Sequence, residues 1–167
     1  MNEPDEESTA ERLDRELLEL VQEIRVLLPG VQVLFAFLLA VPFQQNFAKI
    51  SEFEKKVYFA TLLLTALSAA LLIAPSAYHR ITFRYQQKHR LVFISNRLAI
   101  AGLLTLALAM TCAILLITDV LFGTIAAVVT TTVALSTFAL LWVALPLRRR
   151  LKYRAEGLPL LAPPGNE

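Results

Sequence analysis

The sequence predicts an all-α membrane protein with four transmembrane helices, preceded by a cytoplasmic amphipathic helix. The chain has 167 residues and is 56% hydrophobic, above the roughly 45–50% apolar content of soluble domains. This excess is gathered into long runs separated by charged segments, as a bilayer requires of spanning helices. A basic connector, residues 74–97, joins two pairs of runs and holds five Lys or Arg and no acidic residue. Such a connector is typical of a cytoplasmic loop.

The N-terminal region divides into two parts. Residues 1–10 are acidic without apolar periodicity, which predicts disorder, and they lack the basic start of a secretory signal, so no cleaved leader is expected. Residues 11–28 carry apolar side chains at three- and four-residue spacings, which predicts an amphipathic helix. These side chains are Leu13, Leu17, Leu20, Val21, Ile24, Leu27 and Leu28.

The first span is predicted over residues 29–43 and is the shortest of the four. Pro29 and Gly30 predict a bend or a helix restart before it, since proline removes a backbone donor and glycine loosens the chain. Extending the span back to Val26 gives a length of about 27 Å. That length just crosses a hydrocarbon core of roughly 30 Å.

Three further spans follow a short polar loop. The second, residues 57–77, carries no charge, and the connector is expected to continue its helix past Pro75. The third is predicted over 98–118, a tight turn over 119–123, and the fourth over 123–147. A basic cluster, Arg148, Arg149, Arg150, Lys152 and Arg154, ends the fourth span. The proline-rich tail, 155–167, is predicted to be disordered.

The distribution of basic residues predicts the orientation. The N-terminal segment, the connector and the C-terminal segment together hold thirteen Lys or Arg, whereas the opposite side holds only Lys49, Lys55 and Lys56. By the positive-inside rule, both termini lie in the cytoplasm, and the protein is a multi-pass protein of the plasma (inner) membrane.

No motif in the chain points to catalysis. Metalloprotease, nucleophile-elbow and phosphate-loop patterns are absent from the sequence. The single cysteine, Cys112, excludes an intrachain disulfide, and two histidines, His79 and His89, are too few for a metal site. We therefore expect no enzyme, no cofactor, no metal and no nucleic-acid partner.

Two polar positions and one basic stripe are the candidate functional residues. Gln32 is the strongest polar group of the first span, and Asp119, at the end of the third, is either an ion-binding carboxylate or a turn residue or helix N-cap. Arg80, Arg84 and Lys88 lie four residues apart, on one helical face. This stripe is a topogenic signal or a contact for anionic lipid head groups or an acidic partner, worth about 1 kcal/mol per basic residue near the surface.

The amphipathic helix offers a partner for that stripe. Glu16, Glu19 and Glu23 lie on one face of it. One hypothesis is that the helix folds back on the connector, with apolar burial dominating because each exposed ion pair contributes only ~0–1 kcal/mol. The alternative is that it lies on lipid.

Small residues allow helices to approach closely at three pairs of positions, as small-xxx-small patterns do. The pairs are Ala66 with Ala70, Ala109 with Ala113, and Ala99 with Gly102. They predict packing within a four-helix bundle, and contacts in a homo-oligomer remain the alternative.

Five stretches carry a family resemblance: LPGVQVLFAFLLAVPF at 28–43, LLIAPSAYHR at 71–80, NRLAIAG at 96–102, TDVLFG at 118–123 and WVALPLRRR at 142–150. They resemble a family of small four-span bacterial membrane proteins, common in actinobacteria, that lacks an established function. Some relatives carry a sodium:proton antiporter label. The resemblance covers almost all of the membrane portion and implies a four-span fold.

Two functions follow as hypotheses. The favoured one is a membrane protein without an enzymatic site that has a structural, regulatory, or lipid- or protein-interacting role. The alternative is a small oligomeric transporter or channel subunit of cation–proton antiport type, with a pore built from Gln32 and the threonine faces.

Overall fold

The computed structural model describes residues 9–45, 47–82 and 88–155, which are helical almost throughout and contain no strand. The all-α prediction is confirmed. The helices are α1 (Thr9–Ala40), α2 (Glu52–Thr82), α3 (Lys88–Phe122), α4 (Thr124–Phe138) and α5 (Leu145–Ala155). Two short 3-10 turns, Val41–Phe43 and Phe47–Lys49, link α1 to α2, and a π-helical turn, Ala139–Ala144, joins α4 to α5.

Four stretches of these helices are long and apolar enough to cross a membrane, which confirms the predicted number of spans. Each is longer than the sequence suggested, because helical backbone continues past the apolar run. The stretches are Leu18–Phe43, Glu52–Ala77, Phe93–Phe122 and Thr124–Arg149.

The helix restart predicted at Pro29 is wrong, because α1 is one helix from Thr9 to Ala40 with Pro29 inside it. Proline removes a single backbone donor, the one that the Arg25 carbonyl would accept. On either side of this defect Ile24 and Val31 are only 2% and 1% exposed and belong to the core, so packing holds both halves in one helix. The amphipathic segment therefore precedes the first span as part of the same helix.

Helix α2 begins earlier than predicted, inside the polar loop assigned to residues 44–56. Ser51 accepts a bond from the Glu54 backbone N–H through Oγ (3.2 Å), and the Ser51 N–H donates to the Glu54 carboxylate. This capping box satisfies two backbone groups at the helix start. At its other end α2 continues through Pro75 to Thr82, as expected for the start of the connector.

The turn between the third and fourth spans is tighter than the predicted five-residue turn. Helix α3 continues through Asp119 to Phe122, and Gly123 alone is non-helical, with φ 83°. Its N–H donates to the Asp119 carbonyl (3.0 Å). Gly123 precedes α4 without a side-chain cap. The interpretation of Asp119 as a turn residue or N-cap is therefore wrong, since a glycine at positive φ reverses the chain alone.

The fourth span contains a wide helical turn caused by a proline. Over Ala139–Ala144 the helix is π-helical, and the Leu145 N–H donates to the Leu140 carbonyl, one residue further back than in an α-helix. Pro146 follows directly and would clash with the carbonyl four residues before it. The wider turn relieves that clash, as π-bulges do at sites of local strain.

The packing centres on α2 and α3. Helix α1 packs on both of them, and the buried cluster Ile24, Val31, Leu72 and Leu106 joins the three. Helix α4 contacts α3 but, within the described residues, neither α1 nor α2. Only Ala127 is buried along α4. The four spans therefore form an open bundle whose last helix is attached along one side.

Two side-chain to backbone hydrogen bonds fix how α2 lies against its neighbours. Tyr58 donates to the Leu38 carbonyl of α1 (2.8 Å), and Ser68 donates to the Gly102 carbonyl of α3 (2.8 Å). The Leu38 carbonyl would otherwise lack its helical donor, because residue 42 is proline. The Tyr58 hydroxyl therefore replaces the bond that Pro42 removes.

Tyr58→Phe is expected to destabilise the fold by about 1–3 kcal/mol, because it leaves the buried Leu38 carbonyl without a donor. Unfolding in mixed micelles, followed by circular dichroism, measures the loss. Thr132→Val is the control: its hydroxyl bonds to the Val128 carbonyl of its own helix on an exposed face, so stability should be unchanged. Equal losses in the two variants would contradict this role of Tyr58.

Candidate functional site

The two ends of the bundle differ in charge. Because the chain crosses back and forth, the first part of α1, the end of α2, the start of α3, and α5 lie at one end, which we call the basic end. Its described basic residues are Arg15, Arg25, Arg97, Arg148, Arg149 and Lys152, which are all exposed. The acidic residues with described side chains at this end are Glu19 and Glu23, so basic residues are in excess there. At the opposite, loop end, three lysines are matched by three acids: Lys49, Lys55, Lys56, Glu52, Glu54 and Asp119.

Ion pairs at the two ends also differ. At the loop end, Lys55 lies 2.8 Å from Glu52. At the basic end, the guanidinium of Arg15 is 4.0 Å from Glu19. For the other basic-end arginines with described side chains, no carboxylate of the described residues lies within pairing distance, so no described acid neutralises their charge.

Arg97 is held at the basic end by an aromatic ring. Its guanidinium carbon lies 4.6 Å from the centre of the Phe93 ring, one helical turn earlier in α3. Such a cation–π contact at an exposed site contributes about 0.5–1 kcal/mol. It orients the guanidinium while leaving its hydrogen-bond donors available.

The predicted basic stripe lies mostly outside what the structure describes. Arg80 is in the last turns of α2 and Lys88 is the first residue of α3. Arg84 lies outside the described residues, and the side chains of all three are not described. The stripe therefore stays a prediction.

Helix α1 does not break, so the acidic segment does not need to fold back to reach the connector. The docking of the acidic stripe on the basic stripe depends on side chains outside the described residues and stays a prediction. The pairing of Tyr58 with Leu38 shows α1 and α2 running antiparallel. Extending that register along both helices places Glu16 level with Arg80. Continuous antiparallel helices thus bring the acidic and basic segments to the same level without a hinge.

A cleft opens between α1 and α2 on the side of the basic end. Its volume is about 260 Å³. It is lined by Val21, Ile24, Arg25, Leu28, Pro29, Gln32 and Ser76. All except Ser76 come from α1, where they form one face over three helical turns. The cleft thus combines an apolar wall with one cation, one amide and one hydroxyl.

The candidate residues Gln32 and Asp119 are not brought together. Gln32 is exposed and lies at the deep end of the cleft. Asp119 lies in the last turn of α3, at the loop end. Arg25 and Ser76, which share the cleft with Gln32, were missed. The signal for them was Pro29, because a proline inside a helix marks a local defect in its hydrogen bonding.

The interior of the bundle holds hydroxyls that are already bonded. Thr61 and Thr65 are fully buried and donate to carbonyls one turn back in α2 (2.7 and 2.8 Å). Ser68 bonds across to Gly102. Among the described residues, Ser95 and Thr131 have buried hydroxyl oxygens without a partner. The two hydroxyl groups lie on different helices, α3 and α4, and do not form a cluster.

The described residues contain no group of three His, Cys, Asp or Glu close enough to hold a metal ion.

A family model matches residues 6–146, well over half of the chain. The chain belongs to this family of unknown function (DUF6328). Neither the curated proteins nor the solved structures yield a match.

The DUF6328 match covers helices α1 to α4 and the cleft but ends just before the last basic cluster. Arg25, Gln32, Ser76 and Arg97 lie within residues 6–146. Arg148, Arg149 and Lys152 follow the match. The cleft is thus part of the family region.

Proposed function

We propose that this DUF6328 protein is a non-enzymatic protein of the plasma membrane, with both termini in the cytoplasm, that binds anionic lipid head groups with its basic end. The observation that carries the proposal is the uneven distribution of basic residues between the two ends of the bundle. Thirteen Lys or Arg fall on the side of the termini and the connector, against three on the other side. The cytoplasmic leaflet carries the anionic lipids that attract such segments.

The structure supports the proposal through the exposure of these charges. Arg97, Arg148 and Arg149 are exposed and have no ion pair with a described carboxylate. An arginine presents a planar fork of donors that matches the oxygens of a phosphate. At the loop end the three lysines are balanced by three acids, whereas the described side chains of the basic end include six basic residues and two acids, Glu19 and Glu23. The excess of basic residues favours an anion at the basic end.

Transport is less well supported by the same geometry. A coupled cation needs oxygen ligands or a carboxylate within the spans. The buried threonine hydroxyls of α2 donate to their own helix. Gln32 and Asp119, the two candidate polar positions, are at different levels of the bundle. Lipid binding uses groups that the structure leaves exposed.

The double variant Arg148→Gln/Arg149→Gln is expected to reduce the preference for phosphatidylglycerol over phosphatidylcholine by about thirtyfold, at about 1 kcal/mol per charge. Lipid bound to the protein from mixed nanodiscs is counted by native mass spectrometry. The matched control, Lys55→Gln/Lys56→Gln, removes the same charge at the loop end and should change little. Raised salt should weaken the wild-type preference.

Two results would contradict the proposal. One is a wild-type protein that binds both lipids equally. The other is an equal loss in the two double variants, because the preference would then follow total charge and not the basic end.

A further inference from the structure

We propose that the cleft between α1 and α2 is a binding site for one anionic phospholipid, whose phosphate is held by Arg25 and whose acyl chain lies along Leu28 and Pro29. The inference rests on the proposed function and deepens it, since it turns a diffuse attraction at the basic end into a defined site. It involves residues that the predicted stripe of Arg80, Arg84 and Lys88 does not include.

The depth of the cleft matches one leaflet. Val21 and Ser76 lie at its mouth, and Gln32 lies at its deep end. At the usual helical rise, the levels of Val21 and Gln32 are about 16 Å apart along α1. One half of a hydrocarbon core is roughly 15 Å thick. A lipid with its head group at the mouth therefore ends its chain near Gln32.

The charge at the mouth fits an anionic head group. Arg25 lies about one helical turn inside the level of Val21, on a helix whose spanning stretch already begins at Leu18. A cation at that level is costly unless it reaches water or an anion. No carboxylate of the described residues pairs with it, so an anion from the lipid is the partner of matching charge. Guanidinium and phosphate form strong, charge-assisted hydrogen bonds.

The helix defect at Pro29 adds an acceptor beside this cation. Proline leaves the Arg25 carbonyl without its helical donor, and Pro29 itself lines the cleft. A carbonyl without a donor is unfavourable within the hydrocarbon of a bilayer. A glycerol head group brings both a phosphate for the guanidinium and hydroxyl donors for the carbonyl, so phosphatidylglycerol is the probe that fits best.

The lining of the cleft favours a lipid over a helix from a second copy. Leu28 and Pro29 form an apolar wall, and Arg25 is the one charged side chain of the described lining. The apolar face of a second helix would leave Arg25 without an anion at a level where that is costly, whereas an acyl chain with an anionic head group matches both features.

The test compares full-length variants in nanodiscs of mixed phosphatidylglycerol and phosphatidylcholine, with bound lipid counted by native mass spectrometry. Arg25→Gln is expected to lower the relative association of phosphatidylglycerol about fivefold, as expected for one basic residue near the surface. Arg15→Gln removes a charge of the same helix outside the cleft. Because Arg15 already lies 4.0 Å from Glu19, its loss should lower the association clearly less than the loss of Arg25. Gln32→Leu should leave the association unchanged, since Gln32 lies far from the phosphate.

Ser76→Trp fills the mouth without a change of charge and should abolish the tightly bound lipid while the salt-dependent preference remains. Equal effects of Arg25→Gln and Arg15→Gln would overturn the cleft site but leave the proposed function standing. A loss of phosphatidylglycerol association in Gln32→Leu as large as that in Arg25→Gln would also overturn the cleft site. A wild-type protein without any preference for phosphatidylglycerol would overturn both.

Discussion

Gly102→Ala is expected to be among the most destabilising small substitutions in the chain. A Cβ atom at Gly102 would lie 2.8 Å from Cγ and 2.9 Å from Cδ2 of Leu72. Leu72 is fully buried in the core that joins α1, α2 and α3, so it has no free space into which to move. Overpacking of this kind costs typically about 1–3 kcal/mol. The helices would separate at the bond from Ser68 to the Gly102 carbonyl.

Gly30→Ala is the matched control for this effect. A Cβ atom at Gly30 would meet nothing within 4 Å, and alanine favours a helix over glycine by roughly 0.5–1 kcal/mol. The control should therefore be as stable as the wild type or more so. The free energy of unfolding in mixed micelles is measured for Gly102→Ala and Gly30→Ala. A Gly102→Ala variant as stable as Gly30→Ala would show that α2 and α3 do not meet as closely as described.

Gly123→Ala is expected to loosen the fourth span. Gly123 has φ 83° and ψ 174°, a region that only glycine adopts readily, so a side chain there costs of order 1–3 kcal/mol. Its Cβ would meet no neighbour within 4 Å, so the effect comes from the backbone alone. Since α4 contacts α3 but neither α1 nor α2 within the described residues, the strain should weaken that one interface.

Hydrogen exchange of the backbone amides measures how far the interface between α3 and α4 is weakened. Amides of α4 are expected to exchange faster in Gly123→Ala, whereas those of α1 and α2 keep their wild-type rates. In the Gly30→Ala variant, the amides of α4 should keep their wild-type exchange rates. A uniform rise across all helices, or no rise in α4, would contradict the open arrangement in which α4 is attached along one side.

The four spans were predictable because a bilayer demands long apolar helices. The residues at which the spans begin and end were harder to predict. Pro29 indicated a break, but burial of Ile24 and Val31 on both sides keeps α1 continuous. Between α3 and α4, hydropathy does not show that Gly123 reverses the chain alone. The Ser51 capping box, in contrast, was a readable signal in the sequence.

The position of α4 could not be predicted. Helix α4 has no charged residue, and its Ser and Thr side chains do not gather on one face, so periodicity does not tell the face toward α3 from the face toward lipid. The cleft was equally hidden, because it depends on the register of α1 against α2 that Tyr58 and Leu38 set. The sequence does not single out Arg25 among the basic residues of the N-terminal segment, and only the packing shows that it lines one cleft with Ser76.

The most direct test of the account is the orientation of the bundle, because lipid binding by the basic end requires that end to face the cytoplasmic leaflet. Single cysteines are placed in a Cys112→Ser background at Gln45, an exposed residue of the loop end, and at Lys152, an exposed residue of the basic end. Intact cells are treated with a membrane-impermeant maleimide. We expect Gln45→Cys to label in intact cells and Lys152→Cys to label only after lysis. Labelling of Lys152→Cys in intact cells, with Gln45→Cys protected, would contradict the account.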